Sequence, residues 1–328
     1  MPQHRKIIEI ATPYQADANN GNWRTAHRWQ SLLSRDYQVI VQGDSRMPKP
    51  DTSATSELLI ALHARRSAGI IQQSRLTHPD KPIIVVLTGT DLYKDLPHDA
   101  EAQESLRIAD ALIVLQEDAI QHVPMPYRKK THVVFQSAKP LVAAAKPAGK
   151  LNCVVVGHLR AEKDPSTILH IFNHLPVDAP IHILHIGSPL NTSLAEASKA
   201  KMAEDARYHW VGQLSHGLTR AAIKRSHVLL HPSIMEGGAN VIVEAIVSGT
   251  PVLASEMSGN IGMLGKNYAG YFPVGDAKAL AALLQKSLTD ANFLLRLNIA
   301  CQARAKLFLP SIERDALKNI ISSLVRDI

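Results

Sequence analysis

The sequence predicts an α/β protein made of two doubly wound parallel-sheet domains, and three observations carry that prediction. The chain has 328 residues, about twice the length of a typical single domain. Its apolar, β-rich runs are continuous rather than alternating, as expected of strands buried on both faces of a parallel sheet. Those runs alternate with helical patterns twice over, on either side of one stretch rich in Pro, Ala and Lys.

In chain order, the first half offers strands at Lys6–Thr12, Gln38–Gln42, Leu58–Leu62, Ile83–Leu87, Ala111–Leu115 and His132–Val134. Helix-like stretches lie between several of them, at Trp23–Leu33, Arg65–Arg75 and Glu117–Val123. The break falls at Ser137–Lys150, the best linker candidate in the chain. The second half then offers strands at Asn152–Gly157, Ile181–Ile186, Tyr208–Val211, Val228–His231 and Val252–Ser255. Its helices are expected at Pro165–Leu175, Thr192–Asp205, Thr219–Ser226 and Val241–Ser248. The expected domains are therefore residues 1–140 and 150–310. A last helix, Ile312–Arg326 within residues 312–328, remains after the second sheet is complete and is free to cross back onto the first domain. Two such domains imply a cleft, with sites at the carboxyl ends of the strands.

Composition narrows the function. Apolar residues make up 45% and charged residues 20%, the mix of a soluble globular protein, which excludes disorder, collagen-like repeats and a coiled coil. Aromatics are only 5%, which disfavours a base-stacking platform for nucleic acid. No apolar run approaches the ~20 residues of a membrane span. Ile7 to Ala11 is too short for a signal-peptide core, so a cytoplasmic location is the default. Lys plus Arg number 36 against 29 Asp plus Glu, a formal charge of +7. Such a balance favours anionic partners. The basic residues are scattered, which points away from nucleic acid and membrane surfaces and toward a phosphate-bearing small ligand, with a merely solubilising surface as the alternative. Cys153 and Cys301 lie far apart without a Cys-x-x-Cys spacing and suit buried thiols in a reducing compartment. Sixteen histidines include no His-Glu-x-x-His spacing, so no metal site and no cofactor are expected. His182 and His185, three apart in one strand, point to opposite faces.

The most informative stretch runs from His231 to Ser255. A strand ends at His231, a loop with Gly237 and Gly238 follows, and a helix opens near Ala239 and Asn240 and runs to Gly249. The first amides and dipole of that helix can hold a phosphate oxygen, and the glycines let the backbone approach a ligand closely. Glu236 before the helix and Glu244 inside it can accept hydrogen bonds from sugar hydroxyls on either side. The alternative is an ordinary strand–loop–helix with solvated glutamates. In the first domain, Asn20, Gly21, Asn22 and Arg24 open a helix after the first strand, where free amides can wrap an oxyanion and Arg24 adds charge. Leu87-Thr-Gly-Thr-Asp91 ends another strand, and Asp91 can cap the turn that follows.

The Glu236/Glu244 pair, with seven residues between and followed by Gly249-Thr-Pro-Val, resembles the donor-site signature of retaining nucleotide-sugar glycosyltransferases of the glycogen-synthase-like superfamily, which have the two-domain GT-B fold. That resemblance implies that Glu236 touches the donor sugar and Glu244 the ribose. Val156-Gly157-His158-Leu-Arg160-Ala-Glu-Lys163 is similar to the superfamily's loop whose Arg and Lys bind the donor diphosphate. Lys163 aligns directly. His158 stands where the Arg usually is, and a diphosphate wants a fixed cation, so Arg160 is expected to share that role. Gly187-Ser188 and Val211-Gly-Gln-Leu214 fit the nucleotide-edge loops. Thr88 stands where the superfamily has a His near the reacting sugar.

Taken together, Asn-Gly-Asn-x-Arg-Thr-Ala, Leu-Thr-Gly-Thr-Asp-Leu-Tyr, Gly-His-Leu-Arg-x-Glu-Lys-Asp-Pro, Met-Glu-Gly-Gly-Ala-Asn-Val and Ser258-Gly-Asn-Ile-Gly-Met-Leu-Gly resemble the selenosugar synthases of selenoneine biosynthesis, over nearly the full length. That resemblance implies a UDP-hexose donor, preferably UDP-N-acetylglucosamine, and selenophosphate as a small anionic acceptor. Asn20, Gly21, Asn22, Arg24, Thr88, Thr90 and Asp91 would form the acceptor side. An anionic selenium nucleophile needs no strong general base, which makes the loss of the His intelligible. The alternatives are a UDP-sugar transferase with a hydroxyl acceptor, making a glycolipid or polysaccharide, a UDP-N-acetylglucosamine epimerase, and a non-catalytic nucleotide-sugar sensor. The absence of Gly-x-Gly-x-x-Gly after a strand and of Gly-x4-Gly-Lys-Ser/Thr disfavours dehydrogenases and P-loop kinases. Glu104–Lys130 is mixed in charge and broken by prolines, so no amphipathic helix for a lipid acceptor is expected there.

Overall fold

Continuous runs of β-branched and aliphatic residues become two six-stranded sheets, each parallel throughout. The computed structural model describes residues 5–13, 21–43 and 56–325. The N-terminal sheet comprises β1 (Ile7–Thr12), β2 (Gln38–Gly43), β3 (Leu58–Leu62), β4 (Ile83–Leu87), β5 (Ala111–Val114) and β6 (Thr131–Val133), in the order β2-β1-β3-β4-β5-β6. The C-terminal sheet comprises β7 (Leu151–Val156), β8 (Ile181–Ile186), β9 (Tyr208–Trp210), β10 (Val228–His231), β11 (Val252–Ser255) and β12 (Tyr271–Phe272), in the order β12-β11-β10-β7-β8-β9. Strand order therefore reverses between β1 and β3 in one sheet and between β7 and β10 in the other. In open α/β sheets those are the positions where ligands bind, beyond the carboxyl ends of the strands.

The chain divides into one unit of residues 1–136 and 310–328 and a second of residues 137–309. In the first unit, alternate strand residues feed separate cores. Leu59, Ala61, Val85, Leu87 and Leu112 pack with Ile70 and Ile71 of α2 (Ala68–Thr77) and Leu106 of α3 (Ala100–Ile108). Leu58, Ile60, Ile84, Val86 and Ile113 pack on the other face with Trp29 and Leu33 of α1 (Gly21–Leu33). That second face also receives Leu317, Ile320 and Ile321 of the C-terminal helix Pro310–Leu324. The Trp29 indole N–H donates to Glu313 Oε1 at 2.6 Å, and Arg28 Nε reaches Glu313 Oε2 at 2.9 Å, so the buried carboxylate of that helix is fully used.

In the second unit, α4 (Pro165–His170), α5 (Thr192–Glu204), α6 (His216–Arg225), α7 (Asn240–Ile246), α8 (Ser258–Leu264), α9 (Ala277–Thr289) and α10 (Ala291–Arg304) flank the sheet; the C-terminal helix is α11. The stretch 137–150, read from sequence as a linker, is bound to this unit. The Leu141 amide donates to Val247 O at 3.0 Å, and Lys146 Nζ reaches Lys224 O at 2.7 Å and Thr250 Oγ1 at 3.1 Å. Two expected helices are altered. Glu117–His122 is a 3-10 turn capped by Gln116, and α4 gives way after one and a half turns to a 3-10 turn, Ile171–Asn173. Helices α3, α8, α9 and α10 and strand β12 were not anticipated.

Candidate active site

The switch point of the C-terminal sheet is built by two loops. After β7, the loop Gly157–Asp164 leaves the sheet in direct backbone contact with the loop after β8. A Cβ on Gly187 would lie 1.9 Å from Gly157 O, so only glycine permits this approach. The Gly157 amide donates to Ile186 O at 2.9 Å. Its carbonyl accepts from His185 Nε2 at 3.2 Å, while His185 Nδ1 pairs with the Tyr208 hydroxyl at 2.8 Å. Burial pushes His185 down to about 4, so near neutral pH it is an uncharged strut under the loop. His158 Nδ1 accepts the Ser188 amide at 3.0 Å. An acceptor nitrogen carries no proton, so His158 supplies no fixed cation in this arrangement. The loop closes with Asp164 in the left-handed region (φ 44°), where its carboxylate caps α4 at the Thr167 amide.

After β10, residues 232–239 run to α7 and are held at Ser233, Ile234 and Glu236. The Ile234 amide donates to Glu162 O at 3.0 Å, tying this loop to the β7 loop. Ser255 Oγ donates to Ser233 O, and Asn260 Nδ2 donates to Ser255 O at 2.9 Å. A Cβ on Gly259, in the first turn of α8, would lie 2.1 Å from Glu236 O, so this second glycine lets α8 seat against Glu236. Lys163 Nζ donates to Glu236 Oε1, and both side chains are mostly shielded, at 18% and 12% exposed. His231 Nε2 lies 3.6 Å from the same oxygen. Burial works to raise the Glu236 carboxyl, but Lys163, His231 and a hydrogen bond from Ser233 together outweigh it and hold the group below its ordinary value. Burial pushes His231 down to about 4. An ionised carboxylate and one fixed cation thus share the mouth of the β7/β10 crevice. The ammonium suits a diphosphate, and the carboxylate can accept from sugar hydroxyls.

Other sequence-assigned residues lie near this pair or apart from it. Glu244 is buried on α7, and its Oε1 pairs with His216 Nε2 at 2.7 Å at the first residue of α6. Gly237 is buried, Gly238 half-buried, and Ala239 precedes Asn240 at the start of α7 without a capping side chain. The Arg160 side chain, on the same loop as Lys163, is 46% exposed and lies 3.9 Å from Glu162. Sequence reasoning missed His231, His185, His216 and Gly259. His231 lay inside the stretch already singled out. The His216–Glu244 pair spans 28 residues and leaves no local signal.

In the N-terminal unit the loop after β4 is organised by Asp91, which is fully buried. Its Oδ1 accepts the amides of Thr88 (2.9 Å), Gly89 (2.8 Å) and Leu92 (3.1 Å), and its Oδ2 accepts the Ala64 amide at 2.9 Å. This corrects the assignment of Asp91 to ligand binding: its oxygens are spent on the backbone, and it shapes the loop instead. Thr88 and Thr90 are half-buried, and Asp91–Asp95 forms a single wide turn with a π-helical bond pattern. His63 was also missed. It sits at the end of β3 with its ring nitrogen 3.0 Å from Thr90 Oγ1. Gly21, Asn22 and Arg24 form the first turn of α1, with Thr25 Oγ1 donating back to Gly21 O at 2.9 Å. Asn20 lies outside the described residues. Among the described residues no group of three or more His, Cys, Asp or Glu side chains could hold a metal ion, and no helix is long and apolar enough to cross a membrane.

Residues 142–306, just over half of the chain, match the family described as glycosyl transferases group 1. The chain belongs to this glycosyltransferase family. The matched segment contains both loops of the β7/β10 crevice, Lys163, Glu236 and Glu244 among them. A curated relative of this group 1 member, glycosyltransferase 1 domain-containing protein 1 of Xenopus tropicalis, is 24% identical over 177 residues, 52% of this chain. The match spans about half the length of that relative, 50%. Among solved structures, sucrose-phosphate synthase from Thermosynechococcus elongatus superposes with a TM-score of 0.79 at 17% identity, over 98% of this chain and 99% of that one. Anabaena HepE in complex with UDP gives 0.75 at 16% identity, over 97% and 100%. The lipopolysaccharide outer core galactosyltransferase WaaB gives 0.71 at 16% identity, over 97% and 99%. At these identities the likeness establishes the fold, two Rossmann-like units of the GT-B type.

Proposed function

We propose that this group 1 glycosyltransferase moves a hexose, preferably N-acetylglucosamine, from a UDP-sugar to selenophosphate, forming a selenosugar. The donor half rests on one observation: Lys163 and Glu236 are paired at the β7/β10 switch point. In this reading the diphosphate draws the Lys163 ammonium, and Glu236 is released to the sugar hydroxyls. UDP complexes of structural neighbours such as HepE support the choice of nucleotide. Glu244, held by His216, takes the ribose. The selenium lone pair forms a bond to C1 as the C1–O bond breaks, and that electron pair leaves on UDP. Lys163 stabilises the charge that develops there. No metal or other cofactor enters the step.

The acceptor half rests on the resemblance and on the loop after β4. With Asp91 turned inward onto four amides and Asp95 paired with Arg65, the loop offers the Thr88 and Thr90 hydroxyls and no unengaged carboxylate base. That suits a nucleophile that arrives ionised. Arg24 and the amides at the start of α1 add donors for a tetrahedral anion. Incubating the protein with UDP-N-acetylglucosamine and selenophosphate, followed by mass spectrometry, tests the reading. It predicts UDP and a hexosamine carrying the selenium isotope pattern. Glycosylated alcohols or lipids with no selenium product would favour the hydroxyl-acceptor reading instead.

A further inference from the structure

At the end of β3, His63 combines a left-handed backbone (φ 75°) with a ring only 2% exposed. It stands at the β1/β3 switch point, the ligand-binding end of the N-terminal sheet. A non-glycine residue keeps such a backbone only where its surroundings over-determine it. The His63 amide donates to Val86 O at 2.8 Å and its carbonyl accepts the Ser67 amide at 3.0 Å, and two hydrogen bonds hold the ring. The Arg66 amide donates to His63 Nδ1 at 3.3 Å, and His63 Nε2 lies 3.0 Å from Thr90 Oγ1. An amide can only donate, so Nδ1 carries no hydrogen and the ring's single N–H is on Nε2. That N–H therefore points into the lone pair of Thr90 Oγ1, and the hydroxyl's own hydrogen must be directed away from the ring.

We infer that His63 is a positioning residue that locks the Thr90 hydroxyl as a hydrogen-bond donor toward an anionic acceptor. The inference deepens the proposed acceptor site and rests on that reading. With one lone pair taken by the ring and its hydrogen turned outward, the Thr90 hydroxyl serves an anion better than an alcohol. An alcohol must lose a proton and needs an acceptor group near it, whereas an anion needs donors. The carboxylates around His63 do not undo the arrangement. Asp91 Oδ2 is 4.0 Å from Nδ1 and accepts the Ala64 amide, and Asp95 Oδ2 is 3.9 Å from Nε2 while Asp95 pairs with Arg65 at 3.3 Å. Both His63 distances exceed hydrogen-bond range, so Thr90 is the ring's partner.

Two measurements test this. Long-range proton–nitrogen correlation spectra of the labelled wild-type protein, with His63→Leu assigning the signals, should show His63 protonated at Nε2 and bare at Nδ1. In steady-state assays, His63→Leu should raise the KM for selenophosphate about tenfold or more, the size of one lost hydrogen bond to a charged group, with UDP affinity unchanged. His63→Gln, whose amide N–H can take the place of ring Nε2–H, should recover most of that loss. A ring protonated at Nδ1, or equal selenophosphate KM values in all three proteins, overturns the inference while leaving selenophosphate turnover intact. A wild-type protein that consumes UDP-sugar with alcohols and not with selenophosphate overturns the anionic-acceptor reading, and the inference falls with it.

Discussion

Lys163 and His158 sit on one loop, yet they differ in what they can offer a diphosphate. Lys163 is a cation already aimed at the crevice, whereas His158 spends Nδ1 on the Ser188 amide and is left with a neutral N–H. Lys163→Ala is therefore predicted to abolish UDP-sugar turnover more thoroughly than His158→Ala in side-by-side kinetics. If His158→Ala were the more damaging, the ring would have to act as a protonated ligand, and the Ser188 contact would have to break. The two glutamates should separate in a different way. Glu244 would hold the unreacting ribose, so Glu244→Ala should mainly raise the donor KM. Glu236 would meet the sugar that changes in the transition state, so Glu236→Ala should mainly lower kcat. Either loss should be on the order of 1.5–3 kcal/mol, the usual range for a hydrogen bond to a charged group. Wild-type constants in both variants would remove the pair from the site.

At the scale of elements, two glycines hold three loops together. Adding a methyl at Gly187 forces the β8 loop off the Gly157 carbonyl, and adding one at Gly259 forces α8 off Glu236. Both obstacles are backbone, which cannot rotate aside. Gly187→Ala and Gly259→Ala are each predicted to cost about 1–3 kcal/mol in denaturant unfolding and to weaken UDP binding, since Lys163 and Glu236 move with those loops. Unchanged UDP affinity in both would separate the loops from the site. The strands were legible in the sequence because burial on both faces leaves a continuous apolar run, and Leu58–Leu62 and Ile83–Leu87 are found with the bounds they were read with. Lys163 and Glu236 were singled out because each follows such a run and lies in a motif that resembles the glycosyltransferase superfamily's. What was not legible depends on distant partners. The capping of its own turn by Asp91 was legible locally, but its complete burial was not, because its other oxygen accepts the Ala64 amide 27 residues away. His63 is invisible for the same reason: its meaning lies in Thr90, also 27 residues away, and in a backbone angle.

For the whole molecule, acid should act through buried histidines before carboxylates. His185 and His231 are both pushed down to about 4 by burial, against about 6.5 for an exposed ring. Between those values the unfolded chain binds protons that the folded chain refuses, so stability falls as pH drops from about 6.5 toward 4. The two rings together would cost several kcal/mol, roughly 3 each at the full shift. Urea unfolding at pH 7 and pH 5 should show the lower midpoint at pH 5. Equal midpoints would mean that these rings are not held neutral. The formal charge of +7 is consistent with a protein whose proposed substrates are both anions, a nucleotide sugar and a small oxyanion. That pairing is the central claim. It is tested most directly by the rate of UDP release from UDP-N-acetylglucosamine as selenophosphate is titrated in. The account predicts release that is negligible without selenophosphate and saturates as it is added. Release that is equally fast without it, or that rises only with alcohols, would contradict the account.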